Sequence, residues 1–516
     1  MIDTLKQRIG FNPLAWLRHT RRMRKLVRDF DASAAATAGA LRFAVVVPPW
    51  LGSGVPWFSL AVGLLLARNG NNVTFIVDDL PFGNNAVRYG FVIRCIRAVF
   101  RLLRAQHAVI DLSAVRGESA LDDSGRSLVE RLARLNAVWE LRGESVDGRR
   151  QSFTALCVKQ LSRAYGPISR VMRPGAFDVI FMPGGIYGSS GLWAAHARAA
   201  GIRIASYDNG GFGASMLAVN GIACQMHDIP AAYRLLKDRW ADHEERAFAI
   251  ESAAAEIDRR RAGVDTFSSQ VKGSGSGDSR YDGAVLIALN SSWDSAALGL
   301  HTIFEDNQQW IVETARYLLE NTSVPVVVRQ HPAERLSYAR SNDDYRGLLQ
   351  RNFGSHPRLH FVAAEEKINS YALFDRVAAV VVYTSTIGVE AAAHGKPVIT
   401  PSNSYYSGLG FVWRAADLDQ YQAYLASAAS GALAVTPAMR DDAMLCYYIT
   451  QVCNWVFSPF NPADFRKWSR LDLDKLHADA KVQGALKALQ ESVPIAFLNH
   501  LERLAEHRKS VVSTAA

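Results

Sequence analysis

Four hydroxyl side chains in a row, Tyr383, Thr384, Ser385 and Thr386, follow the aliphatic run Val377 to Val382. That run reads as a buried parallel strand. A short helix is expected next: Ile387, Val389 and Ala391 to Ala393 suit packing on a sheet, Gly395 stands at the position after the helix, and Pro397 blocks its continuation. Pro397 to Thr400 then reads as the following strand. In such a strand, turn and helix unit the hydroxyls of Ser385 and Thr386 and the free amides of the first turn point at one spot, and the helix dipole favours an anion there. Gly388 would let that anion approach closely. The chemistry suggested is phosphate binding, although an isolated Ser-Thr at a helix start is also a common N-cap.

Other strand ends carry candidate residues. The strand Val324 to Val328 delivers Arg329, Gln330, His331 and Pro332, and the strand Ala284 to Leu289 delivers Asn290 to Asp294. Ligands of open α/β sheets bind at such carboxyl ends. Earlier in the chain, Ile202 to Tyr207 brings Asp208, Asn209, Gly210 and Gly211 to a sheet edge. Turn and catalytic site are evenly matched readings, because Asp, Asn and Gly all favour turns while turns carry many functional residues. The loop Pro48 to Pro56 holds Gly52 and Gly54 without the spacing of a dinucleotide fingerprint, and is read as an acceptor-side loop. Tyr405, in the loop after Pro401, could lie over a sugar or simply pack.

The string Ser385-Thr386-x-Gly388-x-Glu390-Ala391-x-x-x-Gly395-Lys396-Pro397-Val398 resembles the donor-binding motif of nucleotide-sugar enzymes with the GT-B fold, especially the capsule polysaccharide biosynthesis group. The His-Pro pair at 331 and 332 precedes it in the order seen in bacterial sialyltransferases and Kdo transferases of that type. The resemblance implies that His331, Ser385 and Thr386 hold the donor phosphate, with Arg329 adding charge and Glu390 reaching ribose or sugar hydroxyls. It further implies a catalytic carboxylate at Asp208, where this chain has Asp-Asn-Gly in place of an acidic-acidic-Gly motif. Asp294, Gly52, Gly54, Asn209, Gly210 and Tyr405 are the acceptor-side or sugar candidates.

The fold expected is α/β and GT-B-like: two Rossmann-like domains with parallel sheets facing a cleft, and a helical C-terminal tail. The boundaries read as a basic N-terminal arm at 1–40, an acceptor domain at 41–267, a Ser/Gly-rich linker at 268–283, a nucleotide-sugar domain at 284–440 and a tail at 441–516. Fifty-eight Lys and Arg against 49 Asp and Glu give a net charge of +9, which favours anionic partners. A nucleotide-sugar donor, a glycan or lipid-linked acceptor and an anionic membrane surface fit; nucleic acid is not expected. Five cysteines lie scattered, without metal-ligand spacing. No cofactor or metal is implied, and Asp417 with Asp419 and Asp472 with Asp474 lie in helix-like contexts.

The sequence shows no signal peptide or membrane span, so a cytoplasmic protein, peripheral on the inner face of the membrane, is expected. The arm at 1–40 reads first as solvated and partly disordered, and in a sharper alternative as a membrane-surface helix. Arg94, Arg97, Arg101 and Arg104 form a basic stripe on a helix from Asn84 to His107, opposite Val92, Ile96, Val99, Phe100 and Leu103. The first functional reading is a metal-independent glycosyltransferase of surface or capsular polysaccharide synthesis. CMP-linked acidic sugars fit the motif pair best, though nothing in the chain reads a base. Sugar-nucleotide 2-epimerase, polyol phosphate transferase and a catalytically inactive GT-B scaffold are the alternatives.

Overall fold

The computed structural model describes residues 12–515 apart from 31–39, 51–53, 84–85, 118–120, 146, 212, 264–278, 292, 294–297 and 338. Its strands are β1 (Arg42–Val47), β2 (Asn72–Val77), β3 (Ala108–Asp111), β4 (Val179–Pro183), β5 (Arg203–Gly211), β6 (Ala214–Ala218), β7 (Val285–Ala288), β8 (Val326–Arg329), β9 (Leu359–Val362), β10 (Ala379–Val382), β11 (Val398–Thr400), β12 (Trp413–Arg414) and β13 (Trp455–Phe457). They make two sheets, in two compact units.

The first unit comprises residues 1–136, 152–228 and 454–499. Its sheet runs β13-β6-β5-β4-β1-β2-β3, parallel from β3 to β5 and antiparallel beyond. All of β1 after Arg42 is buried, as its Phe-Ala-Val-Val-Val sequence requires of a central strand. The expected strand Ile202 to Tyr207 proves longer. Its parallel pairing with β4 ends at Pro183 and Tyr207, but β5 continues to Gly211 against β6, with Asp208 opposite Met216. Asp208 therefore stands within an antiparallel ladder, not in a turn.

Of the segment 1–40, the structure describes 12–30 and 40, and there the solvated arm is corrected. Asn12 accepts from the Ala15 amide at 3.1 Å and starts a helix, Pro13–Arg28. Trp16, Met23, Leu26 and Val27 recur at three and four residues and are buried in the first core. The helix Ala86–Leu103 packs against it, burying Val92, Ile96, Val99, Phe100 and Leu103. On the basic stripe, Arg97 is paired with Asp79 and Arg104 with Asp111.

The second unit comprises 137–151, 229–453 and 500–516. Its six strands, ordered β12-β11-β10-β7-β8-β9, are all parallel. Valines and isoleucines of β7, β8 and β10 are fully buried against Trp310, Leu318 and Tyr421. The compact units divide the chain after Asp228, where the sequence suggested a boundary at 268. The reason is ionic: Arg246 pairs with Asp441, Lys237 with Asp442, and Arg260 with Glu390, which ties the helices Ile229–Lys237 and His243–Arg261 to the second unit. The Ser/Gly-rich linker lies largely outside the described residues.

Residues 137–151 join the second unit through Asp343, whose buried carboxylate accepts from the amides of Glu144 at 2.9 Å and Ser145 at 3.0 Å and from the Ser145 hydroxyl at 2.7 Å. Glu144 in turn takes the Asn307 amide at 2.9 Å. The tail is not wholly helical, because Trp455–Phe457 forms β13 on the first sheet. Among the described residues no helix is long and apolar enough to cross a membrane.

Candidate functional site

In the second sheet the chain steps from β7 to β8 and β9 on one side, then crosses to β10 on the other. The carboxyl ends of β7 and β10 thus frame a topological switch point, where a crevice opens because the flanking connections run in opposite directions. Asn290, after β7, accepts from the Thr384 amide at 3.4 Å, so the two strand ends are linked there. His331 follows β8 on the other flank of β7. Two strand spacings separate β8 from β10, about 10 Å, enough for a phosphate group and its hydrogen bonds between them.

His331 caps the short helix Pro332–Arg335, its Nδ1 accepting from the Ala333 amide at 3.2 Å. That bond leaves the ring proton on Nε2, as a donor. Burial, and secondarily the charge of Arg329, lowers its pKa to about 4. His331 is thus a neutral hydrogen-bond donor at pH 7, not a cation.

Ser385 and Thr386 stand between β10 and the seven-residue helix Ile387–Ala393. Thr386 is the residue before the helix, but its hydroxyl makes no capping bond. Instead Tyr405 Oη approaches Thr386 Oγ1 at 3.5 Å, and Tyr406 Oη donates to the Ser385 carbonyl at 2.8 Å. The loop after β11 therefore fixes the motif from outside. Burial holds the Tyr405 phenol well above its usual pKa, so it stays a neutral donor. Among the described residues the Ser385 Oγ has no partner although the residue is buried. Gly388 has a different task from the one expected. A Cβ there would lie 2.7 Å from Tyr406 Oη and 2.9 Å from Val382 Cγ2, so its missing side chain makes room for the tyrosine.

Two further members of the motif set are turned to structural work. Arg329 is buried, donates to the carbonyls of Ala363 and, at 3.2 Å, Ile368, and so pins the loop after β9. Desolvation brings its pKa down to about 10. Glu390 is buried with Arg260 Nη1 at 3.5 Å and binds the motif helix to His243–Arg261. No local signal could have shown this, because Arg260 lies 130 residues upstream.

Asp294 and Gly52 lie outside the described residues. The other candidates belong to the first unit. Asp208 is partly exposed and its Oδ1 accepts from the Asn209 amide at 2.7 Å. Gly210 is a packing glycine, since a Cβ would meet the Trp455 ring at 2.6 Å, and at Gly54 a Cβ would meet the Pro462 carbonyl oxygen at 1.7 Å. Sequence reading missed Asp78, at the carboxyl end of β2. Burial raises the pKa of this carboxyl, which accepts from Ser189 Oγ and, at 2.9 Å, from Trp193 Nε1. An Asp-Asp pair directly after a Val-rich strand was the available signal. Asp417 and Asp472 cap helices through the amides of Gln420 and Lys475, both at 2.8 Å.

Residues 236–450 match the family described as capsule polysaccharide biosynthesis protein. No curated protein matches the chain. Among solved structures, the KpsC beta Kdo 2,4 transferase of Thermosulfurimonas dismutans is 15% identical over 53% of this chain and 80% of its own, with a TM-score of 0.35. The beta Kdo 2,7 transferase of the same KpsC is 16% identical over 60% and 87%, with a TM-score of 0.30. UDP-GlcNAc 2-epimerase from Neisseria meningitidis, bound to UDP-GlcNAc, is 9% identical over 79% and 97%, with a TM-score of 0.28. Scores this low leave the family match and the residues themselves to carry the functional reading.

Proposed function

We infer that this chain, whose residues 236–450 match the capsule polysaccharide biosynthesis family, is a glycosyltransferase of capsular polysaccharide assembly, of GT-B type. It takes a sugar from a nucleotide-activated donor and passes it to a glycan or lipid-linked acceptor, without a metal, at the inner face of the cytoplasmic membrane. The carrying observation is the pair formed by a neutral His331, whose Nε2–H is free to donate, and the unpartnered Ser385 Oγ, on the two strands that flank β7. Both are neutral donors preorganised at a strand edge, which suits a phosphate whose charge grows as the sugar departs. Thr386, held by Tyr405, is the third donor.

In the reaction the acceptor hydroxyl oxygen bonds to the anomeric carbon, and the bond from that carbon to the donor phosphate oxygen breaks. The electron pair leaves with the nucleotide. The acceptor proton passes to the Asp208 carboxylate if configuration inverts; if it is retained, the same carboxylate stabilises positive charge on the sugar. CMP-, UDP- and GDP-sugars offered with and without acceptor test the reading. Nucleotide release that depends on acceptor supports it. Conversion of a UDP-sugar to its 2-epimer, or no turnover of any donor, overturns it.

A further inference from the structure

The peripheral membrane position in the reading above has a specific surface, carried by residues that take no part in nucleotide binding. We propose that the helices Pro13–Arg28 and Ala86–Leu103 together form a face that lies on an anionic bilayer. They pack against each other in the first unit and are 16 and 18 residues long. Between them they carry ten lysines and arginines and no carboxylate, whereas the whole chain has 58 basic and 49 acidic residues. Lys25 and Arg97 are paired with Asp29 and Asp79 beyond the helices, while Arg18, Arg21, Arg28, Arg94 and Arg101 form no ion pair among the described residues. Such an excess of unpaired positive charge beside exposed aliphatic side chains fits a surface that is charged outside and apolar beneath.

The apolar side chains are Leu14 and Leu17, 58% and 44% exposed in the first turns of Pro13–Arg28. They share the outward side of that helix with Arg18, Arg21, Lys25 and Arg28, while Trp16, Met23, Leu26 and Val27 anchor the inward side. Because the inward side is committed to the core, the helix is a rigid part of the unit and presents its outer face without an ordering cost. The neighbouring helix adds Arg94 and Arg101, both exposed. The leucines enter the headgroup layer and the guanidinium groups meet lipid phosphates. The exposed leucines favour a bilayer over a soluble polyanion, which offers nothing apolar.

Vesicles of phosphatidylcholine alone, and of phosphatidylcholine with phosphatidylglycerol, provide the test by co-sedimentation. Binding is expected only with phosphatidylglycerol, and raised salt should weaken it by screening. A cation near an anionic surface is worth about 1 kcal/mol, roughly fivefold in partitioning. The triple variant Arg18→Gln, Arg21→Gln, Arg28→Gln should therefore lose about a hundredfold. Leu14→Ser with Leu17→Ser should lose about tenfold, because the inserted surface is gone. All five side chains are exposed, so far-UV circular dichroism should stay unchanged. Absence of binding to anionic vesicles at low salt, or vesicle binding indifferent to either set, overturns the proposal. So does heparin binding that needs the arginines while vesicle binding ignores the leucines, because the face would then hold a polyanionic glycan. Nucleotide affinity, measured on the same variants, reports the transferase reading separately and should not move.

Discussion

Tyr406 donates its hydroxyl to the Ser385 carbonyl at 2.8 Å, and Gly388 is what leaves space for it. A fully buried ring from one loop thus determines where the hydroxyl of another stands. Tyr406→Phe keeps the ring and removes the bond, so it should cost about 1 kcal/mol of stability and weaken nucleotide binding severalfold. Gly388→Ala should cost more, about 1–3 kcal/mol, because Tyr406 and Val382 must both shift. Urea titration and calorimetry measure the two effects. Unchanged nucleotide affinity in both variants would show that the motif is not positioned from this loop.

His331→Ala and Ser385→Ala each delete one donor to the phosphate. Hydrogen bonds to a charged partner contribute about 1.5–3 kcal/mol, so each variant should bind the donor nucleotide roughly ten- to a hundredfold more weakly. The free nucleoside, which has no phosphate, should bind both variants and the parent protein alike. If calorimetry finds equal nucleotide affinity in parent and variants, phosphate is held elsewhere.

Acid should destabilise the protein in a defined window. His331 and His19 are both lowered to about 4 by burial, His331 also by Arg329 and His19 by Arg22, Arg466 and Arg18. In the unfolded chain they take up protons near pH 6.5, so between about 6.5 and 4 the unfolded state holds more protons and stability falls as pH falls. Stability from these groups is complete above pH 6.5. His331→Gln should flatten the slope of unfolding free energy against pH in that window. An identical slope in the variant would mean that this imidazole is not kept neutral by the fold.

Asp208→Asn separates chemistry from architecture. The ladder pairing with Met216 uses backbone, so the substitution should leave stability and nucleotide affinity intact. Loss of the base should lower turnover by about a hundredfold or more. Transfer at close to the parental rate in a folded, nucleotide-binding variant would make Asp208 a strand residue without catalytic duty.

Much of the architecture was legible because parallel strands announce themselves locally. The runs at β7, β10 and β11 are aliphatic and end in polar residues, and the structure has strands there within two residues of expectation. Strands β3, β6, β12 and β13 were not legible. They are two to five residues long, too short to announce themselves by periodicity, and β13 also depends on a remote neighbour, pairing with β6 across more than two hundred residues. The same divide runs through the site. His331 and Ser385 sit at the ends of their own strands, so local pattern placed them at the sheet edge. Arg329 and Glu390 gave equally good local signals, yet each is held by partners set by tertiary packing.

The interleaving of the two units has a consequence for how the chain is made. The first unit takes its edge strand and its helix Ala480–Glu491 from residues 454–499, and the second takes 137–151 from before its sheet and 500–516 from the end. During synthesis neither unit can close before residues 454–516 have left the ribosome, although domains in general fold as they emerge. The chain behaves as a knitted pair with late closure: cutting it at the Ser/Gly-rich linker would leave two fragments, each missing part of its own core.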